Sequence, residues 1–486
     1  PWIQSVNAEV YTLNLFMNLT AFYMLISGHG DSRRAIAAFF IFGLSLANHH
    51  YLTLLTAPAL AFILVFGEYK GKRALVSKGF AFLVAALFVY AYLPARGART
   101  PEISWGDTTT LQGFVDQVSA RIFTASLGGF EKLNVSFTDN IASAVSLFLE
   151  TYSIWVFPFF LAGIFIFLKH RSADAFAAFL LLAGAFLSKV IMGILDAKNL
   201  DDYGYFLASG AMIMFFSGVS AVEIAGWVGK NTGARVSVVF ICLFVALFVF
   251  LSTDRARYSL ARGADKGNFY SAELFSEARL NPLPGGSILF AWYYPVYFMD
   301  MYSRAVSGFR SDAGIVQQSL YHKVGGDFYV KALKEKYPEL SKAFNRYLDT
   351  KYFPADELIK MSWKSPLFFD ISADLKFPEE NLSSAGFVHR IVPAVSETEA
   401  EILQKIVNIY SGFQRKAGEY FNLDYETRRI LLLKHIQNAK YFFKNGFVEA
   451  AVLETSLAAK ANPFEEDPRE LKELKAKSAQ RKEDGL

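Results

Sequence analysis

The first half of this chain carries a series of apolar stretches too long and too free of charge to be buried in a water-soluble domain. A helix needs ~20 mostly apolar residues to cross the hydrocarbon core of a bilayer, and about 17 is the lower edge. The stretches from Val10 to Ser27, Gly79 to Ala95, Thr151 to Leu168, Tyr203 to Val222 and Val236 to Thr253 meet that length without a single charge. Ala175 to Leu195 does so with Lys189 as its only charged residue. Ala35 to Phe66 is too long for one crossing and is interrupted by Asn48-His49-His50, so it reads as two short helices meeting at that polar break. Eight spans result.

Hydrophobic residues make up 53% of the chain, but this average conceals a break: charge is concentrated after residue 253. The predicted organisation is a transmembrane helix bundle over 1–253, with a long external loop at 96–140. A small soluble α/β domain follows over 254–425, and then a helical segment with a charged tail over 426–486. The formal net charge of +4 is small and scattered, which argues against a nucleic-acid partner. The lone cysteine, Cys242, lies inside an apolar run and has no partner for an intrachain disulfide. The sequence opens on Pro1-Trp2 with no basic segment or cleavage site, so residues 10–27 are not a signal peptide, and the expectation is that the start of the protein is missing.

Lysine and arginine concentrate on the cytoplasmic side of membrane proteins. Arg33-Arg34, then Lys70, Lys72, Arg73 and Lys78, then Lys169 and Arg171, then Lys230 and Arg235 fall in alternate loops. The opposite loops hold the Asn-His-His break, the 96–140 segment and the acidic 196–202 stretch. All basic loops can therefore face the cytoplasm together. The remaining loops and the C-terminal half then lie outside, in a bacterial periplasm or a eukaryotic lumen.

Past residue 281 the pattern changes. Ser287 to Ala291 follows the turn signal Pro284-Gly285-Gly286 and reads as a buried strand, Tyr297 to Val306 has helical period, and Ala313 to Val316 reads as another strand. Pro366–Ile371 and Phe387–Val392 add two more, giving a βαβ-like rhythm. Residues 426–465 are helical in pattern, with Gly446, Ala451, Ala458 and Pro463 at the offsets of one tetratricopeptide repeat; an ordinary helical hairpin fits equally well. The tail from Glu465 onward is expected to be solvated.

Polar groups in or beside spans carry the functional information, because lipid makes them costly. Glu9 lies at the external mouth of the first span, as either an interfacial carboxylate in water or an acid beside a lipid-borne substrate. His49 and His50 sit at the external ends of two short spans, as a polar turn or as ligands for metal or phosphate. Arg96 and Arg99 follow a span, as interface anchors or as a phosphate clamp. Trp105 and Asp107 follow in the same loop, Lys189 stands near the external end of its span where it can snorkel, and Asp202 opens the next span on that side. Together they gather carboxylates, imidazoles and cations at one membrane face. That composition suits an amphiphilic, phosphate-bearing substrate. No phosphate-cradling glycine loop, helical metal motif or nucleophile elbow occurs in the sequence.

Three stretches, "NAEVYTLN" (7–14), "FGLSLANHHYLTLLTAPAL" (42–60) and "YLPARGARTPEISWGD" (92–107), resemble a family long catalogued as a membrane domain of unknown function. Its vertebrate member is an endoplasmic-reticulum protein O-mannosyltransferase with C-terminal tetratricopeptide repeats. "SGFRSDAGIVQQSL" (307–320) and "SPLFFD…GFVHRIVP" (365–393) are similar to the soluble region of bacterial members. The resemblance implies a GT-C-like polytopic fold that transfers a sugar from a polyprenyl-phosphate carrier to a protein or glycan hydroxyl on the external face. It puts Glu9, Asn48, His49, Arg96, Trp105 and Asp107 in the family's motifs; with the polar residues read above, the expectation is that Glu9 and His49 are catalytic and that Asn48, His50, Arg96, Arg99, Trp105, Asp107, Lys189 and Asp202 bind substrate. It places the principal base, an acidic residue in the first external loop, upstream of residue 1. A divalent metal ion is compatible with the chemistry, and its ligands are not indicated. The lipid bilayer, the lipid-linked sugar and the acceptor are the implied partners, with a further protein partner on the C-terminal helical segment. The family's acidic turn after the first soluble strand is replaced by Ala-Trp-Tyr-Tyr-Pro-Val (291–296), which puts any role of that turn in doubt. Two other classes are open to such a chain: a membrane scaffold using its soluble tail, and a transporter, for which inverted repeats are absent from the sequence.

Overall fold

A computed structural model describes the chain apart from residues 1–9, 29, 68, 70, 100–105, 122–136, 153, 155, 193–194, 196–199, 233–235, 237, 240, 247–270, 292–293, 318–325, 351–353, 372–376, 420–422, 424, 465 and 484–486. The chain divides into two compact units, Pro1–Ala95 with Leu127–Gly267, and Arg96–Ser126 with Asn268–Leu486.

The first unit is helical: α1 (Val10–Ser27), α2 (Ser32–Phe66), α3 (Lys72–Leu87), α4 (Tyr92–Gly97, its end in the other unit), α6 (Phe137–Thr151), α7 (Val156–His170), α8 (Ser172–Met192), α9 (Leu200–Tyr205) and α10 (Leu207–Thr232); the short α5 (Leu111–Val118) belongs to the second unit. Five helical segments are long and apolar enough to cross a membrane: Val10–Ser27, Ser32–Phe66, Lys72–Gly97, Ser172–Ile191 and Leu207–Asn231. The expected count of eight does not emerge from helix length alone. α7 has only 15 residues, and the expected span at 236–253 falls largely outside the described residues.

α2 is the informative member. At about 1.5 Å per residue its 35 residues would run roughly 52 Å if straight, well beyond a hydrocarbon core. It is not straight, because His49 leaves the helical region at φ −153°, ψ 84°. Three contacts with α1 show the consequence. Asn48 Nδ2 donates to the Val10 carbonyl at the start of α1 (2.8 Å). Arg34 Nη1 donates to the Ser27 carbonyl (3.4 Å) and the Tyr69 hydroxyl to the Leu25 carbonyl (2.9 Å), both at the end of α1. The beginning and the end of α2 therefore lie at one end of the unit and its middle at the other. Ser45 and Thr53 agree: eight positions apart, they would be ~12 Å apart along a straight helix, yet their hydroxyls are 3.0 Å apart. α2 is a helical fold-back hinged on His49, as the polar break in the sequence suggested.

The interior of this unit is lined by small and apolar side chains, among them Ala21, Ala35, Ala59, Ala178 and Phe216, which lets backbones approach closely. A Cβ at Gly184 would overlap the Leu55 carbonyl, so α8 can pack on the second half of α2 only with glycine there. Phe16, Phe80, Phe88, Phe165 and Trp227 point outward. An apolar exterior of this kind fits lipid as its solvent.

The second unit is built on a five-stranded sheet of order β2-β1-β3-β5-β4. β1 (Ile288–Ala291) lies parallel to β2 (Gly314–Gln317) and to β3 (Leu367–Phe369); β5 (His389–Ile391) runs antiparallel to β3 and to β4 (Leu382–Ser384). Every residue of β1 is buried, as an interior strand of a sheet covered on both faces must be. The connection from β1 to β2 carries α12 (Tyr294–Ser307), and α11 (Ser271–Leu280) precedes β1. Between β2 and β3 come α13 (Gly326–Lys336), α14 (Ser341–Thr350) and α15 (Ala355–Met361). The four strands expected from the sequence are present; β4 was not foreseen, being three residues of Leu-Ser-Ser.

After the sheet come α16 (Glu399–Ala417), opened by a capping box between Thr398 and Glu401, and α17 (Tyr425–Lys444), α18 (Val448–Ala461) and α19 (Arg469–Glu483). α17 and α18 form a hairpin whose turn uses Gly446 at φ +80°, a conformation that favours glycine. Ala450, Ala451, Ala458 and Ala461 are buried, and this face joins one core with Phe290, Phe369 and Phe387 from the sheet region. The tail departs from expectation. Leu471 and Leu474 recur at helical spacing and are buried, so α19 packs into the same core and leaves its lysines and glutamates outward.

Candidate functional site

At the end of the first unit where α2 folds back, the sequence places an imidazole, a lysine, an aspartate and two tyrosines on four helices. The structure brings them together. The rings of Tyr11 on α1, His49 on α2 and Tyr205 on α9 form a trio, with centroids 5.6 Å apart for Tyr11–His49, 5.1 Å for Tyr11–Tyr205 and 5.8 Å for His49–Tyr205. Lys189 on α8 lies 5.4 Å from the Tyr205 ring centroid and 2.7 Å from the Asp202 carboxylate. Asp202 is 2% exposed and Lys189 15% exposed at the side chain, so the cation keeps a path to the outside that the anion lacks. Lys189 thus does more than snorkel. Such a pair in a low-dielectric site fixes its members rigidly, because removing one strands the other's charge.

Backbone geometry seats the trio. The fold-back gives His49 its position, and the Leu52 amide donates to its Nδ1 at 3.4 Å. Tyr51, two positions on, donates its hydroxyl to the Ser188 carbonyl next to Lys189 (2.7 Å). A Cβ at Gly204 would overlap the Tyr11 ring, so only glycine admits Tyr11 to the face of α9. A narrow cavity runs beneath, lined by Tyr11, Asn14, Asn18, Leu52, Thr56 and Tyr205 among others.

The other predicted residues are placed differently. Asn48 is held by its bond to the Val10 carbonyl. His50 is partly exposed on the same fold-back. Glu9 and Trp105 lie outside the described residues. Arg96, Arg99 and Asp107 belong to the second unit. Both arginines are exposed, with no ion-pair partner among the described residues. Asp107 Oδ1 accepts from the Thr109 amide (3.0 Å) and hydroxyl, and Gly106-Asp107 introduces α5, so that carboxylate also serves as a local turn former. The opposite end of the first unit is basic. Arg34 bonds to the Ser27 carbonyl, and Arg171 bonds to the Ile26 carbonyl (3.3 Å) and pairs with Asp174 (2.9 Å). Among the described residues no cluster of three His, Cys, Asp or Glu is placed to hold a metal.

Sequence reading missed Tyr11 and Tyr205. Both lie in or beside apolar stretches where aromatic residues are common, and only the glycine at 204 hinted at a close approach. It also missed a buried charge chain in the second unit. Arg279 on α11, fully buried, pairs with Asp300 on α12 (2.5 Å) and Asp370 after β3 (2.6 Å), and Lys434 on α17 pairs with Asp370 (2.6 Å). The Ser276 hydroxyl donates to Asp300 (2.8 Å). Burial pushes the Asp300 carboxyl upward against the pull of Arg279, and burial lowers Lys434 despite Asp370. These four charges tie the helices to the sheet. The "SGFRSD" stretch is likewise architectural. Arg310, at φ +49°, donates to the carbonyls of Leu280 and Leu283 (both 2.6 Å) and Pro284 (3.0 Å), and its pairing with Asp312 holds that carboxyl down at about 2.

Residues 1–73 match the family model described as the protein O-mannosyl-transferase TMEM260 N-terminal domain. The matched stretch contains α1, the whole fold-back α2, Tyr11 and His49. It supports the family resemblance read from the sequence. No curated protein and no solved structure matches the chain.

Proposed function

We propose that this chain, whose first 73 residues belong to the TMEM260-like family of protein O-mannosyltransferases, transfers mannose from a polyprenyl-phosphate carrier to a hydroxyl of a protein acceptor. The observation that carries the reading is the meeting of Lys189, Asp202, His49, Tyr11 and Tyr205 at one end of an apolar helix bundle. In the proposed reaction the acceptor oxygen attacks the anomeric carbon, the bond from that carbon to the phosphate oxygen breaks, and the lipid phosphate leaves. A carboxylate takes the acceptor proton. Lys189 stabilises the departing phosphate's charge, with Asp202 fixing the amine, and the two tyrosine rings offer faces against which a hexose packs. Glu9 is assigned a catalytic role with His49, and Asn48 and His50 are assigned to substrate binding. Arg96, Arg99, Trp105 and Asp107 are assigned to substrate binding on the family resemblance alone, and a divalent metal is compatible with the chemistry.

The same reading covers topology. α2 supplies two crossings, and with α1, α3, α7, α8, α10 and the 236–253 stretch the bundle crosses eight times in a GT-C-like arrangement. The His49 end and the C-terminal half face the periplasm or lumen, and the α17–α18 hairpin acts as a tetratricopeptide-like unit that receives a protein partner. The basic residues Arg34 and Arg171, gathered at the end opposite His49, support that sidedness.

The test is mannosyl transfer from polyprenyl-phosphate mannose to a protein acceptor by the full-length protein in proteoliposomes. Lys189→Met is expected to lower turnover about 100-fold, the cost of removing one well-placed electrostatic donor. Wild-type turnover in Lys189→Met, Glu9→Gln and Arg96→Ala, all at normal expression, would overturn the site assignment.

A further inference from the structure

The fold-back at His49 is bracketed by polar side chains that have no business in lipid unless they bond to one another. Asn14 and Asn18 on α1 face Ser45, Thr53 and Thr56 on α2, and all five are 4% exposed or less. Asn14 Nδ2 donates to Ser45 Oγ (3.0 Å) and Thr53 Oγ1 (2.9 Å), with a longer contact to the Ser45 carbonyl (3.3 Å). Asn18 Nδ2 donates to Asn14 Oδ1 (2.9 Å) and Ser45 Oγ (2.8 Å), and Thr56 Oγ1 donates to Asn18 Oδ1 (2.8 Å). Thr53 Oγ1 stands 3.0 Å from both the Ser45 and His49 carbonyls and shares its single proton between them. One of those carbonyls precedes the hinge and the other belongs to it.

Both amide side chains have their nitrogen and their oxygen engaged within the group. What the group does is join the two arms of the fold-back to each other and to α1, one helical turn from the imidazole. A hydroxyl that reaches across eight positions can do so only while the hinge is closed.

We infer that Thr53, with Asn14, Asn18, Ser45 and Thr56, forms a polar clamp that positions His49 in the site, and that Thr53 is the positioning residue on which the clamp turns. The inference rests on the transferase reading for its kinetic consequence, but not for its structural one. Thr53→Val keeps the shape and removes the hydroxyl; Thr53→Ser keeps the hydroxyl.

The experiment uses the full-length protein with ¹⁵N-labelled histidine. Residues 1–486 include seven histidines, and the His49 ring signal is identified by its loss in His49→Gln. Thr53→Val is expected to move the His49 ring resonances and leave the histidines outside the fold-back in place, and Thr53→Ser to restore them. In the transfer assay, Thr53→Val is expected to lower kcat about 10- to 100-fold, as misplacement by an ångström does, with KM for the lipid-linked sugar unchanged and with rescue by Thr53→Ser. An unmoved His49 signal in folded Thr53→Val overturns the clamp, whatever the activity. If Thr53→Val does not fold, Ser45→Ala is read in the same way: a shifted His49 signal supports the clamp and an unshifted one overturns it. Resonances that move and recover in a protein whose wild type transfers no mannose leave the clamp standing and remove the transferase reading.

Discussion

His389 offers the sharpest stability test. It lies on β5 opposite Phe369 of β3 and Ser384 of β4, fully buried, and neither ring nitrogen has a hydrogen-bond partner among the described residues. Its ring packs 4.6 Å from that of Tyr441 and 6.4 Å from that of Phe442. Burial, and then the nearby Lys434 cation, lower its pKa to about 3, with Asp370 pulling weakly the other way. The folded chain thus refuses a proton that the unfolded chain accepts near pH 6.5. Between pH 6.5 and 3 the unfolded state binds more protons, so stability falls as the pH drops through that window, at up to ~1.4 kcal/mol per unit. From pH 7 to pH 5 the loss from this residue comes to about 2 kcal/mol. His389→Leu removes the titration and two unpaired buried nitrogens at similar volume. It is expected to raise stability at pH 7 by about 1 kcal/mol and to abolish that 2 kcal/mol component of the acid loss. Hydrogen exchange of the full chain in detergent, corrected for intrinsic rates and read on peptides from β4–β5 and α17, measures both. Parallel pH dependences in wild type and His389→Leu would refute the reasoning, as would a loss of stability at pH 7, which would reveal a partner for the imidazole.

Two further substitutions probe the two units separately. Gly204→Ala forces Tyr11 away from α9, so mannosyl transfer is expected to drop about tenfold or more with little change in expression; wild-type kinetics would mean that the ring trio is incidental. Arg279→Met leaves Asp300 buried without its cation and is expected to destabilise the second unit by about 3–5 kcal/mol, with much of this recovered in the Arg279→Met/Asp300→Leu double variant; hydrogen exchange of α11 and α12 reads the difference.

The membrane character and the hinge of α2 were legible because lipid imposes a length and forbids stray polarity: an apolar run of 32 residues (35–66) broken by Asn-His-His has few ways to be arranged. Four strands were legible for the same kind of reason, since Ser287–Ala291 and its fellows are short apolar runs between turn residues. The site was only partly legible. Lys189 and Asp202 stood out as charges near a span, but their pairing joins two helices and is not written in any local pattern. Tyr11 and Tyr205 were hidden among 24 tyrosines, for which composition gives no ranking. Asn14, Asn18, Ser45 and Thr53 give no signal in the sequence, since one asparagine in a span carries little weight until its neighbours are known. The tail misled because lysines and glutamates dominate it, while the two leucines that dock α19 are a small minority.

The reversal within α2 also bears on biogenesis. It uses no loop: one residue, His49, departs from helical geometry, and the flanking residues stay in helix. Asn14 and Asn18 of α1 and Ser45, Thr53 and Thr56 of the two arms satisfy one another, so assembly of α1 with both arms in the bilayer is favoured over any of the three helices alone. The turn presents no stretch of chain for a protease or an inserted tag to find. On the proposed eight-crossing topology, a mapping that scores 32–66 as a single crossing assigns every later loop to the wrong side of the membrane.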